Sequence, residues 1–166
     1  MTLQQGVSVQ KGSGTMRDEI STAMKEALKA KDQLALGTMR LISAALKDRD
    51  IAARSNGNAE GISDDEILGL LQTMIKQRNE SAKMYRDGDR PELAETEEQE
   101  IAIIQQFLPQ QLDEAGMQAA IDLAIAETGA SSVKDMGQVM AFLKKGYAGQ
   151  MDFSAASKAV KAALMG

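Results

Sequence analysis

The sequence predicts an all-α protein of two helical domains: an N-terminal bundle of about four helices and a small C-terminal three-helix bundle. Two observations carry this. Hydrophobic residues fill 43% of the 166 positions but aromatic residues only 3%, so the apolar supply is Ala, Leu, Ile and Met rather than the residues that strands favour. Apolar residues also recur at spacings of three, four and seven, the period of a helix with one buried face, and Gly, Pro and polar clusters punctuate that period.

Residues 1–14, "MTLQQGVSVQKGSG", have no helical period and read as a flexible leader. Residues 15–109 form the first predicted domain and residues 110–166 the second. Thr15 is an N-cap with Asp18 at the third helical position, and Ile20, Met24, Ala27 and Leu28 share one face of the helix that follows. A second helix runs from near Lys31 to about Arg54, with Leu36, Met39, Leu41, Ile42, Ala45 and Leu46 turned inward. "SNGNAEG" ends it. Ser63 and Glu66 make a capping box for a third helix, whose stripe is Ile67, Leu70, Leu71, Met74 and Ile75. That helix is expected to stop at Gly88 in a left-handed conformation. Asp89 is expected to cap the fourth, with Pro91 in its first turn and Leu93, Ile101, Ile104 and Leu108 inward. "RDGDRPE" thus holds stop, turn and start, which makes helices three and four an antiparallel hairpin.

After Pro109 the helices shorten. Asp113 starts one with Met117, Ile121, Ala124 and Ile125 inward, ending at Gly129. Ser132 caps another with Val133, Met136, Val139, Met140 and Leu143 inward, ending at Gly146. Asp152 caps the last, with Phe153, Ala156, Val160 and Leu164 inward.

Composition excludes several chemistries. The chain has no Cys, so it has no thiolate nucleophile or thiolate metal site, and no His, the commonest general base and metal ligand. Cofactors and metals are expected to be none. No apolar run approaches the ~20 residues needed to span a bilayer, and a cytoplasmic location is the expectation. The net charge of −5 leaves no overall basic surplus for nucleic acid, so any such contact needs a local patch.

The stretch from Lys76 to Glu100 is crowded with charge. Glu92, Glu95, Glu97, Glu98 and Glu100 could pair for acid–base work, and Glu97 with Glu100 has the spacing for it, but acids at this spacing usually form a solvated face. Ser81 and Lys83 are two apart and point to different faces, so they make no nucleophile pair. The expectation is no catalytic residue. Instead Arg78, Glu80, Arg90 and Glu97 are read as an ion-pair lattice bracing the hairpin, with Tyr85 packed on the fourth helix and its hydroxyl on a polar partner. In the small domain, Lys144, Lys145, Lys158 and Lys161 beside Tyr147 are candidate contacts to tRNA or another partner; Lys158 and Lys161 are helical neighbours. Met151 and Phe153 are candidate apolar contacts.

"KQRNES", then Tyr85, then "GDRPELAETEEQEIAIIQQFLPQQL", with "MRLISAALKD" upstream and "DMGQVMAFLK" downstream, resembles the YqeY-like proteins over roughly residues 16–166. That family is similar to the C-terminal region of the B subunit of tRNA-dependent amidotransferases, a tRNA-facing tail with catalysis elsewhere. The resemblance implies a two-part all-α architecture, with Lys76, Arg78, Glu80, Tyr85, Arg90 and Glu97 in the signature hairpin. It also implies an accessory role in tRNA handling or amidation, with tRNA, an amidotransferase subunit or an aminoacyl-tRNA synthetase as partner. The alternative is a protein-interaction adaptor without nucleic-acid contact. One departure is the loop "KGYAGQMD": Tyr147 stands where the family pattern suggests Arg, and a ring can stack but carries no charge. The oligomeric state stays open.

Overall fold

The structure, a computed structural model, describes residues 15–166; the leader read at residues 1–14 lies outside them. Among the described residues there are seven α-helices, one 3-10 turn and no strand. The chain divides into two compact units, with the division between Phe107 and Leu108.

The N-terminal unit contains α1 (Met16–Lys29), α2 (Gln33–Ser55), α3 (Asp64–Asp87) and α4 (Pro91–Gln105). Local chemistry sets their starts. Thr15 with Asp18 and Ser63 with Glu66 close reciprocal capping boxes on α1 and α3, and the Asp32 carboxylate accepts from the Ala35 amide at the head of α2. Helix α1 packs on α2, α2 on α4, and α3 on α4. Their core includes Met16, Ile20, Met39, Ile42, Ile67, Leu71, Ala94 and Ile104, all essentially closed to solvent.

Helices α1, α2 and α3 end in one geometry. A residue at positive φ follows the helix, its amide and the next reaching back to two orphan carbonyls. After α1 that residue is Lys31 (φ 56°), with Asp32 N donating to Ala27 O at 3.1 Å. After α2 it is Gly57 (φ 91°). After α3 it is Asp89 (φ 58°), with Arg90 N donating to Tyr85 O at 2.7 Å. This corrects the expected stop by one residue: Gly88 has φ −89°, still right-handed, and Asp89 makes the turn. Asp89 therefore cannot cap α4. Arg90 holds that position without a side-chain cap, and Pro91 opens the helix where its missing N–H costs nothing.

The C-terminal unit contains α5 (Glu114–Thr128), a 3-10 turn (Val133–Asp135), α6 (Met136–Gly146) and α7 (Phe153–Met165). The three helices pack on one another around Ala120, Ile121, Ala124, Val139, Leu143, Met151, Ala156 and Val160. Asp113 and Asp152 cap α5 and α7, and Gly129 (φ 67°) ends α5. Leu112 N donates to Gln150 O at 2.8 Å, fastening the segment before α5 to the loop before α7.

Four expected core residues lie at the surface: Leu28 (59% exposed), Leu41 (48%), Leu93 (40%) and Val133 (40%). Leu93 is displaced because the buried stripe of α4 runs through its neighbour Ala94. Val133 is displaced because its backbone is 3-10, out of step with α6. Conversely, Met151, a candidate exposed contact, is 3% exposed and part of the core, with Phe153 packed against it.

Candidate functional site

Arg78 falls four residues from Met74 and from Ala82, on the buried stripe of α3, and Glu97 falls between Ala94 and Ile101, on that of α4. The hairpin thus places charge within its apolar seam. Arg78 Nε donates to Glu100 Oε2 at 2.9 Å and Arg78 Nη1 to Met74 O at 3.1 Å; the two paired side chains are 13% and 19% exposed. Burial pushes the Glu97 carboxyl above its ordinary range, the Glu100 charge adds to this, and Arg78 opposes it. Nearer the turn, Arg86 pairs with Glu98 in full view of solvent. The ion pairs therefore join Arg78 to Glu100 and Arg86 to Glu98 rather than linking Arg78, Glu80, Arg90 and Glu97. Lys76, Glu80 and Arg90 are exposed, and Tyr85 is half-buried. Its hydroxyl makes no hydrogen bond among the described residues, in contrast to the expected polar partner.

In the C-terminal unit, Lys144 and Lys145 occupy the last turn of α6, where cations complement the helix dipole. Lys158 and Lys161 lie on α7, away from its buried Ala156 and Val160. All four are exposed, and none forms an ion pair among the described residues. Three of the six acids of this unit, all at helix heads, are bonded to backbone amides, and Asp122 accepts from the Gln118 side chain. Asp113 accepts from Gly116 N, Asp152 from Ser154 N, and Asp135 from Ser131 N and Ser132 N, bonds that hold the Asp135 carboxyl below its usual range. Tyr147 is half-buried, with part of its ring packed against the core.

A third constellation was not apparent from the sequence. Asp50 continues the buried stripe of α2 one turn beyond Leu46 and is only 8% exposed. Its carboxylate receives both terminal nitrogens of Arg17 from α1, the Nη2–Oδ1 bond being 2.7 Å, and the amide of Ile62 at 3.0 Å. Arg17 Nη2 also donates to Ile62 O at 2.8 Å. The guanidinium and the Ile62 amide together hold the Asp50 carboxyl below its ordinary range, and Asp50 in turn raises Arg17. Gly61 makes the approach possible: its φ is +85°, and a Cβ there would lie 2.3 Å from Asp50 Oδ1. The available signal was a carboxylate in an apolar stripe, which requires a cation. The open groove between α1 and α2 beside this lock has a volume of about 410 Å³ and is lined in part by Lys47, Arg54, Ser21 and Ser43.

The model of the family described as "Yqey-like protein" matches residues 17–164. The chain belongs to the YqeY-like family. Among curated relatives it is 31% identical over 97 residues to "Altered inheritance of mitochondria protein 41, mitochondrial" of Vanderwaltozyma polyspora, covering 54% of this chain and 50% of that protein. The protein of the same name from Clavispora lusitaniae is 31% identical over 95 residues, 57% of this chain and 52% of that one. The YqeY-like chain thus spans about half the length of these relatives. Their names overturn the cytoplasmic expectation, since they are designated mitochondrial. That expectation leaned in part on the lack of an apolar span. Among the described residues no helix is long and apolar enough to cross a membrane, but this does not choose between aqueous compartments.

Proposed function

We propose that this YqeY-like chain is a non-catalytic accessory module that contacts tRNA through its C-terminal unit. The observation that carries the reading is the division of labour among charges there. The acids at the helix heads are bonded to backbone amides, whereas Lys144, Lys145, Lys158 and Lys161 stand exposed and without carboxylate partners among the described residues. The family's similarity to the tRNA-facing tail of amidotransferase B subunits supports the same direction, and amidation machinery is the proposed partner. Phosphate contacts of this kind are electrostatic and weaken steeply with salt. Fluorescence polarisation with tRNA at low salt is the test. Micromolar binding that falls about tenfold in the Lys158→Glu, Lys161→Glu double variant supports the reading. Failure to bind, or binding indifferent to that variant, removes it.

A second reading, a protein-interaction adaptor, is favoured by one observation. Met84 (73% exposed) and Leu93 (40%) flank the α3–α4 turn as bare apolar side chains. Pull-down of amidotransferase subunits or a synthetase that survives RNase and is lost in Met84→Asp would select this reading over direct RNA contact.

A further inference from the structure

The groove between α1 and α2 is open to solvent and lined by polar and apolar side chains of both helices. One wall is Arg17, Ile20, Ser21 and Met24 of α1; the other is Ser43, Leu46, Lys47, Asp50 and Arg54 of α2. Its volume, about 410 Å³, falls in the range of small-molecule sites, ~300–1,000 Å³. Its base is rigid at one end, where Arg17, Asp50 and Ile62 are cross-bonded. Arg17 and Asp50 cancel each other's charge there. Lys47 and Arg54 remain, two cations seven residues apart on one face of α2, neither in a hydrogen bond or ion pair among the described residues. Arg54 is close enough for its charge to be felt at Asp50.

The hydroxyls add a second indication. On α2 itself, Thr38 and Ser55 turn their hydroxyls back to the carbonyls of Leu34 and Ile51, the ordinary fate of such groups in a helix. Ser43, between them and facing the groove, does not. Ser21 across the groove is likewise unbonded among the described residues. The site therefore offers two cations and two hydroxyls alongside the apolar flanks of Ile20, Met24 and Leu46. Among the described residues that line it, none is aromatic, so none can stack a base. This combination matches a phosphate group joined to a modest apolar body.

We infer that the α1–α2 groove binds a small soluble organic phosphate, with Lys47 and Arg54 on the phosphate, Ser21 and Ser43 as hydrogen-bond partners, and Ile20, Met24 and Leu46 against the apolar part. The site is distinct from the lysines of the C-terminal unit and does not depend on the tRNA reading.

Hexyl phosphate is a suitable probe, titrated into the isotope-labelled full chain and followed by amide chemical shifts. Saturable shifts confined to α1 and α2 at submillimolar concentration are expected, with inorganic phosphate binding about tenfold more weakly for want of an apolar body. The side chains of Lys47 and Arg54 are exposed and make no hydrogen bond or ion pair among the described residues, and Lys47→Ala and Arg54→Ala are each expected to lower affinity about tenfold, a lost charge-assisted hydrogen bond. Equal affinity for inorganic and hexyl phosphate would overturn the inference, because the groove would then take an anion alone. So would affinity unchanged in both variants. Capture on phosphatidylcholine vesicles containing phosphatidic acid, without binding of hexyl phosphate, would also overturn it by assigning the charge to a membrane surface.

Discussion

The two units of this chain solve the same problem, packing short helices with few aromatic residues, by different means. In the N-terminal unit the helices are cross-tied by charge: Arg17 of α1 to Asp50 of α2, and Arg78 and Arg86 of α3 to Glu100 and Glu98 of α4. Two of these ties sit largely out of solvent, at positions where the period calls for an apolar side chain. In the C-terminal unit no inter-helix ion pair occurs among the described residues, and carboxylates serve as caps on their own helices. Apolar contacts tolerate rotation; a fork of hydrogen bonds does not. The N-terminal unit gives up some apolar burial and gains a fixed register, the use of buried charge that is best attested in other proteins. The C-terminal unit leaves its lysines unspent.

That contrast can be broken most directly in the small core. Leu143→Ala, at a site fully closed to solvent, is expected to destabilise the C-terminal unit by about 3 kcal/mol, read by urea unfolding. Comparable in size is Asp50→Ala in the other unit, about 3 kcal/mol, because it strands Arg17 and the Ile62 amide together. Gly61→Ala should do similar damage with every charge retained, which separates loss of the pair from loss of the approach. A result under about 1 kcal/mol for both Asp50→Ala and Gly61→Ala would show that the lock is ornamental.

Acid sharpens the comparison. The Asp50 carboxyl is held below its ordinary value in the folded chain, so its contribution is complete above the unfolded value and is lost as pH falls through the folded one. Glu97 has the opposite sign. Its folded value is raised, so its contribution is present below the ordinary glutamate range and lost as pH rises through the folded value. Glu97→Gln is therefore expected to stabilise the hairpin near neutral pH, by less than about 1 kcal/mol, and to have little effect in acid. Thermal melts at two pH values would check it, and equal effects at both would refute the assignment.

The smallest expected effects lie at the helix stops. Gly129 is suited to its positive φ, whereas Lys31 and Asp89 hold the same conformation with a Cβ. Lys31→Gly should raise stability by about 1 kcal/mol and Asp89→Gly by less, since Asp tolerates this region better. A loss of stability in Lys31→Gly would mean that its side chain contributes more than its backbone costs.

These positions also show what could be read from sequence. Caps at Thr15, Ser63, Asp113 and Asp152 were legible because a cap and its helix lie within a few residues. The α3 stop was legible only to within one residue, because Gly88 and Asp89 compete for one turn and the hydrogen bonds of Tyr85 and Arg86 decide between them. Leu28, Leu41 and Leu93 were misplaced because periodicity gives the direction of a face and not its width. The Arg17–Asp50 lock joins residues 33 apart, so nothing local announced it. Likewise the partner of Arg78 proved to be Glu100, one helix turn from the Glu97 that spacing suggested. The lysines of the small domain were read by type; only the structure shows that the capping acids Asp113, Asp135 and Asp152 are bonded to backbone amides.

One carboxylate in this fold serves two joints. Asp50 grips α1 through Arg17 and the α2–α3 connection through Ile62, so a proton arriving there loosens both in a single event. The docking of the first helix and the closure of a loop 45 residues further along are thereby made one cooperative unit. The amide of Ile62 is the natural place to watch it: its hydrogen exchange should report the detachment of a helix that it does not itself belong to.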